Sequence, residues 1–185
     1  RASLVAADAV VLARDVLRRG NKRPVQIGQS VPHERGFRGM AVFQGKSDKS
    51  PALYASTISN WGGQFLRCVD GETFQVVSEP GLGDPRLLSF RALVPFAGRL
   101  FTTPIGSVSG DQLDRNTSVR PTVFVSDDPA RGKWREASLP GFGDNRNRVI
   151  FQMAVLGDHL YAGTGNPLRG FELWRTDGRG NPPYQ

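Results

Sequence analysis

The sequence predicts an all-β fold of repeated antiparallel sheets, and three observations carry that prediction. An apolar run, a turn and a second apolar run occur three times: residues 37–43 before 53–57, 90–96 before 100–103, and 151–156 before 160–164. The runs start at residues 37, 90 and 151, and a recurrence at roughly 50 residues is the mark of a repeat array such as a propeller. Gly (22) and Pro (13) are plentiful, as many turns between short strands require. Two matching loops, Pro80-Gly81-Leu82-Gly83-Asp84 and Pro140-Gly141-Phe142-Gly143-Asp144, punctuate the repeats.

Residues 3–19 read as one helix within an N-terminal segment 1–20. Val5, Val10, Ala13 and Leu17 recur at helical spacing, Ser3 can cap the start, and Gly20 suits the end. Residues 21–36, with Lys22, Arg23, Pro24 and Pro32, read as a linker holding at most a short strand at 25–27. From residue 37 the period becomes that of strands. Strands are expected at 37–43, 52–57, 64–69 and 73–78, with hairpin chemistry at Asp70-Gly71-Glu72. The second unit repeats them at 89–96, 99–103, 122–126 and 134–138. The third does so at 150–156, 160–163 and 171–176, and then lacks a fourth strand. Four antiparallel strands per unit is the plan of a β-propeller blade. The blades would span 37–85, 86–147 and a truncated 148–185, so the chain reads as a piece of a longer polypeptide or one of several chains completing a ring.

Residues 104–121 interrupt the second unit, and insertions of this kind collect on one face of a repeat array and carry binding functions. They include Asp111 and the glycosylation-type tripeptide Asn116-Thr117-Ser118. In the two matching loops, Gly permits a sharp crossover, Leu82 or Phe142 is expected to plug the seam between blades, and Asp84 or Asp144 to hold an Asx-type turn. A cation held by Asp84 and Asp144 is the functional alternative, although such sites need several converging oxygens.

Together the units resemble those of bacterial kelch- and sialidase-type β-propellers. Gly170-Phe171-Glu172-Leu173-Trp174-Arg175 matches a third-strand signature of those blades. Asp70-Gly71-Glu72-Thr73-Phe74 is similar to a shortened Asp-box, and Ser126-Asp127-Asp128-Pro129 through Trp134 is a lengthened one. The resemblance covers residues 37–178. It implies the fold and leaves the activity open, because propellers host lectins, scaffolds, hydrolases and oxidases alike.

A sialidase-type site would need converging arginines, and Arg38 and Arg91 fall at matching places on successive inner strands, with Gln152 expected at that place in the third. These three could form a polar ring at the channel mouth and recognise a carboxylate or phosphate. The alternative is that each arginine spans a seam and pairs with Asp84 or Asp144. The loops opening on one face would gather Asn60, Trp61, Asp111 and Asn166, and Trp61 is suited to stacking on a sugar or anchoring a protein.

Other chemistry finds little support. Two isolated histidines, His33 and His159, and one cysteine, Cys68, give no metal cluster and no intrachain disulfide. No Gly-x-Ser-x-Gly elbow appears, and Gly163-Thr164-Gly165-Asn166 lacks the lysine of a P-loop. No cofactor is expected. The formal charge of +7 favours acidic partners, but the basic residues are not interleaved with aromatics as in single-strand binders, so nucleic acid is not expected. No run of 18 apolar residues predicts a membrane span. The compartment stays open, with a secreted or periplasmic setting slightly favoured. The expected function is a non-catalytic binding or scaffold module that meets a protein or carbohydrate, or further subunits, through its loop face. A sialidase-like hydrolase and a structural subunit of a larger complex are the alternatives.

Overall fold

The computed structural model describes residues 34–109, 112–114 and 116–184. The expected helix at 1–20, most of the linker and Asp111 lie outside the described residues. What is described is all-β and antiparallel, built as a curled run of meanders. The first contains β1 (Glu34–Phe43), β2 (Ala52–Ser59), β3 (Phe65–Cys68) and β4 (Phe74–Val76), each paired to the one before. The second contains β5 (Ser89–Phe96), β6 (Arg99–Ile105), β9 (Phe124–Asp128) and β10 (Lys133–Glu136). Between β6 and β9, the 104–121 insertion folds a small hairpin of β7 (Ser107–Ser109) and β8 (Gln112–Asp114). The third contains β11 (Val149–Leu156), β12 (His159–Gly165) and β13 (Leu173–Thr176). A single pair, Ile58↔Ser89, joins the first two meanders into one sheet. No helix among the described residues is long and apolar enough to cross a membrane.

Strand β1 starts at Glu34, three residues inside the expected linker, because Glu34 and Gly36 pair with Ser59 and Ile58 of a β2 that is itself longer than expected. Each first strand carries an irregularity at one shared place, and β1 carries a second between Glu34 and Gly36. Phe37 pairs with Thr57 and Met40 with Ala55; Phe90 pairs with Pro104 and Leu93 with Thr102; Ile150 pairs with Thr164 and Met153 with Ala162. One extra residue therefore stands in every first strand, as in a β-bulge. The register makes Phe37, Phe90 and Ile150 equivalent, and Arg38, Arg91 and Phe151. Gln152, expected at the place of the arginines, falls one place further on, at the place of Gly39 and Ala92.

The same register defines two faces of each sheet. The forward face of the first meander presents Ala41, Phe43, Tyr54 and Phe65 to the rear face of the second, which offers Phe90, Leu93, Leu100 and Phe124. The second presents Ala92, Phe101, Val123 and Val125 forward to Ile150, Met153, Leu160 and Ala162 of the third. Both joints are dense with rings. Phe65 lies 4.8 Å from Phe90 and stacks on Trp134 at 4.5 Å and 20°. First strands lie side by side along the joints, β1 against β5 and β5 against β11. A close approach there requires glycine: a Cβ on Gly39 would come within 2.9 Å of the Arg91 carbonyl oxygen. Ser56 completes this contact, accepting from the Gly39 N–H (2.8 Å) and donating to the Phe90 carbonyl (2.6 Å).

The two matching loops act as expected at the joints. Gly81 and Leu82, and Gly141 and Phe142, all adopt positive φ between 55° and 59°. Left-handed Leu and Phe are uncommon and costly, so packing must hold them there. Leu82 packs into the first joint, and Phe142 stacks on Trp174 of the third meander at 4.6 Å and 6°. Asp84 Oδ1 accepts the Arg86 N–H and Asp144 Oδ1 the Arg146 N–H, closing the Asx turns.

As expected, no fourth strand follows β13 among the described residues, and Tyr184 stands where its aromatic would be. It stands eight residues after Thr176, as Trp134 stands eight after the equivalent Ser126. Its N–H donates to the Ala137 carbonyl at 2.8 Å, its O–H to the Leu160 carbonyl at 3.1 Å, and its ring meets Phe142 edge-on at 5.3 Å.

One charged group is locked inside the first meander. Asp48, in the β1–β2 loop, accepts from Tyr54 Oη (2.6 Å), Arg67 Nε (2.6 Å) and the Gly45 N–H (2.9 Å), and its side chain is fully buried. Burial pushes its carboxyl up, but the bonds from Tyr54, Gly45 and Arg67, with the arginine's charge, outweigh that and hold it below its ordinary value. A carboxyl with a lowered folded pKa stabilises the protein above its unfolded value and loses that contribution as pH falls through the folded value. Asp48→Ala, which strands Arg67, should therefore cost about 3–5 kcal/mol in denaturant unfolding at neutral pH. The difference between Asp48→Ala and the parent protein should shrink progressively below about pH 4. A gap that persists unchanged to pH 2 would contradict this.

Candidate functional site

The first joint opens at one end into a cavity of about 200 Å³ lined by Arg35, Arg38, Ile58, Ser59, Asn60, Leu88, Ser89 and Gly106. Four elements build it. The start of β1 supplies the two arginines, and the end of β2 and its turn supply Ile58, Ser59 and Asn60. Leu88 precedes β5 and Ser89 opens it, and Gly106 follows β6. The frame is fixed by backbone bonds: Ser59 N–H to the Leu88 carbonyl (2.9 Å) and the Ile58↔Ser89 pair. Ser89 Oγ donates to the Ile105 carbonyl at 2.8 Å. Gly106 takes φ +93°, and a Cβ there would press on Leu88 at 3.2 Å.

In a regular strand, residues three apart point to opposite faces. Arg35 and Arg38 reach one cavity because β1 is irregular both between Glu34 and Gly36 and between Phe37 and Met40. Among the described residues the lining holds two guanidinium groups, a carboxamide and two hydroxyls. Planar guanidinium forks with an amide donor are suited to a carboxylate or phosphate.

Of the residues singled out in the sequence, Arg38 and Asn60 share this cavity. Arg91 does not line it, and its guanidinium lies 5.7 Å from the centre of the Phe151 ring, a cation–π contact across the second joint. Gln152 is exposed on the forward face of the third sheet, so the three residues do not form a ring of like positions. Asp84 Oδ2 takes Arg86 Nη2 at 2.8 Å, and the Asp84 carboxyl is held below its ordinary value chiefly by that bond, against the opposing effect of burial. Among the described residues no three His, Cys, Asp or Glu side chains gather to hold a metal. Trp61 sits beside Asn60, 48 % exposed, with its N–H on Ser59 Oγ at 3.2 Å.

Asn166 has a structural task. It is buried, its Oδ1 accepts the N–H groups of Leu168 (3.1 Å) and Arg169 (3.0 Å), and its Nδ2 donates to Asn147 Oδ1 (3.2 Å). Asn147 in turn donates from Nδ2 to the Gly141 carbonyl (2.9 Å) and to Glu172 Oε2 (2.8 Å), which also accepts Trp174 Nε1 (3.0 Å). The Glu and Trp of the third-strand signature are therefore bound to each other and to the loop before β11. Residues missed in the sequence are Arg35, hidden by the linker assignment, Ser59 and Asn147. The signal for Asn147 lay in the paired loops, where it occupies the place of Leu87.

No known protein family matches the chain and no curated protein is similar to it, so any function is argued from this geometry. Exchanging Asn147 for the Leu of the preceding loop should destabilise the protein by about 1–3 kcal/mol, because Glu172 and Asn166 lose a buried partner while apolar burial increases. Urea unfolding of Asn147→Leu checks this, and a neutral or stabilising result would show that the network is dispensable.

Proposed function

We propose that this chain is a non-catalytic binding module built from β-propeller blades, and that it grips an anionic group of its partner in the Arg35–Arg38–Asn60 cavity. The propeller reading is supported by three register-equivalent meanders, each with a bulged first strand lying beside the next. The binding reading is carried by one observation: two arginines and an asparagine line a single cavity at the joint of the first two meanders. A carboxylate-bearing sugar or an acidic side chain of a protein fits that chemistry. A hydrolase holding an acidic sugar between Arg38 and Arg91 fits less well, because Arg91 is engaged with Phe151 in the second joint.

The test uses glucuronate as probe and glucose as its neutral control, followed by NMR chemical shifts of the Asn60 side-chain amide. Glucuronate should give a saturable shift that weakens with added salt, and glucose should give none. Arg35→Ala or Arg38→Ala should each weaken binding about tenfold or more, as expected for loss of a charge-assisted hydrogen bond. Arg91→Ala should leave it unchanged. Equal responses to the two sugars, or an Arg38→Ala protein that binds like the parent, would remove the proposal. Turnover of a glucuronide or sialoside would replace it with the hydrolase.

A further inference from the structure

One pair of side chains recurs in the array without the group it holds elsewhere. In the first meander Tyr54 stands opposite Arg67 on the forward face, and both donate to the buried Asp48 carboxylate. Asp48 belongs to residues 44–51, the long loop between β1 and β2. In the second meander that loop is the tight turn Ala97-Gly98, which brings no acid, and the opposed pair is apolar, Phe101 with Val125. Strands and loop therefore agree in both meanders: Tyr and Arg where a carboxylate arrives, Phe and Val where none does.

The third meander breaks that agreement. Its turn, Gly157-Asp158 between the paired Leu156 and His159, is as tight as the second, yet its opposed pair is again Tyr161 with Arg175. Tyr161 is half-buried, with its ring 6.3 Å from that of His159, and Arg175 is exposed. Among the described residues neither Asp158 in the turn nor Asp177 just past β13 forms an ion pair with Arg175; Asp177 pairs with Arg179 at 3.7 Å. Gln152, Phe171 and Leu173 border an apolar depression of about 250 Å³ that Tyr161 also lines. Leu173 and Arg175, two apart on β13, share the forward face.

We infer that Tyr161 and Arg175 form a second anion site, one that takes a carboxylate carried on an apolar group. The two donors receive the carboxylate as Tyr54 and Arg67 receive Asp48, through charge-assisted hydrogen bonds. The apolar group fills the depression, which has room for one ring, since benzene occupies a cavity of about 150 Å³. The ligand is identified by these donors and not by continuing the array: Asp48 reaches its pair from a loop of its own meander, not from the next sheet. The site shares no lining residue with the Arg35–Arg38–Asn60 cavity, and the inference stands without it.

Titration of the full chain, labelled in its three tyrosine rings, tests it with phenylacetate and the neutral 2-phenylethanol. Phenylacetate should give a saturable NMR shift of Tyr161 that weakens with added salt, and Tyr54 and Tyr184 should not move. The neutral alcohol should bind at least about tenfold more weakly. Arg175→Ala should weaken phenylacetate binding about tenfold or more, and Arg38→Ala should not change it. Arg175 is exposed, so its variant should fold, and unmoved Tyr54 and Tyr184 signals would report that it does. Acetyl-Phe-Asp-amide, with acetyl-Phe-Asn-amide as control, separates the sources of the carboxylate: binding tighter than phenylacetate assigns the site to an acidic side chain of a partner, and weaker binding assigns it to a free acid. No saturable shift with either acid, equal binding of phenylacetate and 2-phenylethanol, or an Arg175→Ala protein that binds like the parent would overturn the inference. The glucuronate response of Asn60 should survive Arg175→Ala, so the two sites stand or fall separately.

Discussion

A sheet that is apolar on both faces has no stable existence alone in water, and that constraint organises the molecule. Every meander here carries rings and aliphatic side chains on alternate residues pointing both ways, so each requires a neighbour in front and another behind. Burying one large aromatic or aliphatic side chain is worth about 1.5–3 kcal/mol, and each joint buries several. The polar contacts across a joint are accessory by comparison. Lys46 to Asp127 (2.6 Å) and Ser47 to Asp128 (2.7 Å) clamp the β1–β2 loop onto the second meander, but they are solvent-exposed, and exposed ion pairs contribute little. They set alignment more than adhesion.

The two joints solve one problem with different residues. In the first, Leu82, Leu87 and Trp134 surround Phe65, and the fit leaves a cleft of about 600 Å³ beside Trp134. In the second, Phe142, Trp174 and Tyr184 form a compact aromatic group, and Asn147 replaces Leu87 to tie Glu172 and Asn166 together. A larger plug with a polar network is thus exchanged for a smaller plug with an apolar one. The positive-φ Leu and Phe at these loops are tolerated because the side chains they deliver fill the seams.

Much of the architecture was legible in the residues. Alternating apolar runs, the repeated Pro-Gly-x-Gly-Asp loops and the hairpin at Asp70 located the meanders and assigned the plug and Asx roles correctly. What was hidden had physical causes. The extra residue in each first strand shifts the side-chain alternation, so matching Phe37, Phe90 and Phe151 by type put Gln152 one place from its true position. Tyr184 follows two prolines and two glycines, which mask its role as the fourth-strand aromatic. The cavity depends on two arginines three residues apart meeting on one side, which no regular period announces. Asn60 and Arg38 were found as candidates, but their company could come only from the fold.

The most direct measurement is a double-mutant cycle on Phe65 and Trp134, residues 69 positions apart that meet only if the first and second meanders fold face to face. Denaturant unfolding of Phe65→Leu, Trp134→Leu and the double variant should give an interaction energy of about 0.5–1.5 kcal/mol, as stacked rings do. Changes that add to within about 0.3 kcal/mol would show that the two rings do not share a joint, and the packing described here would fail.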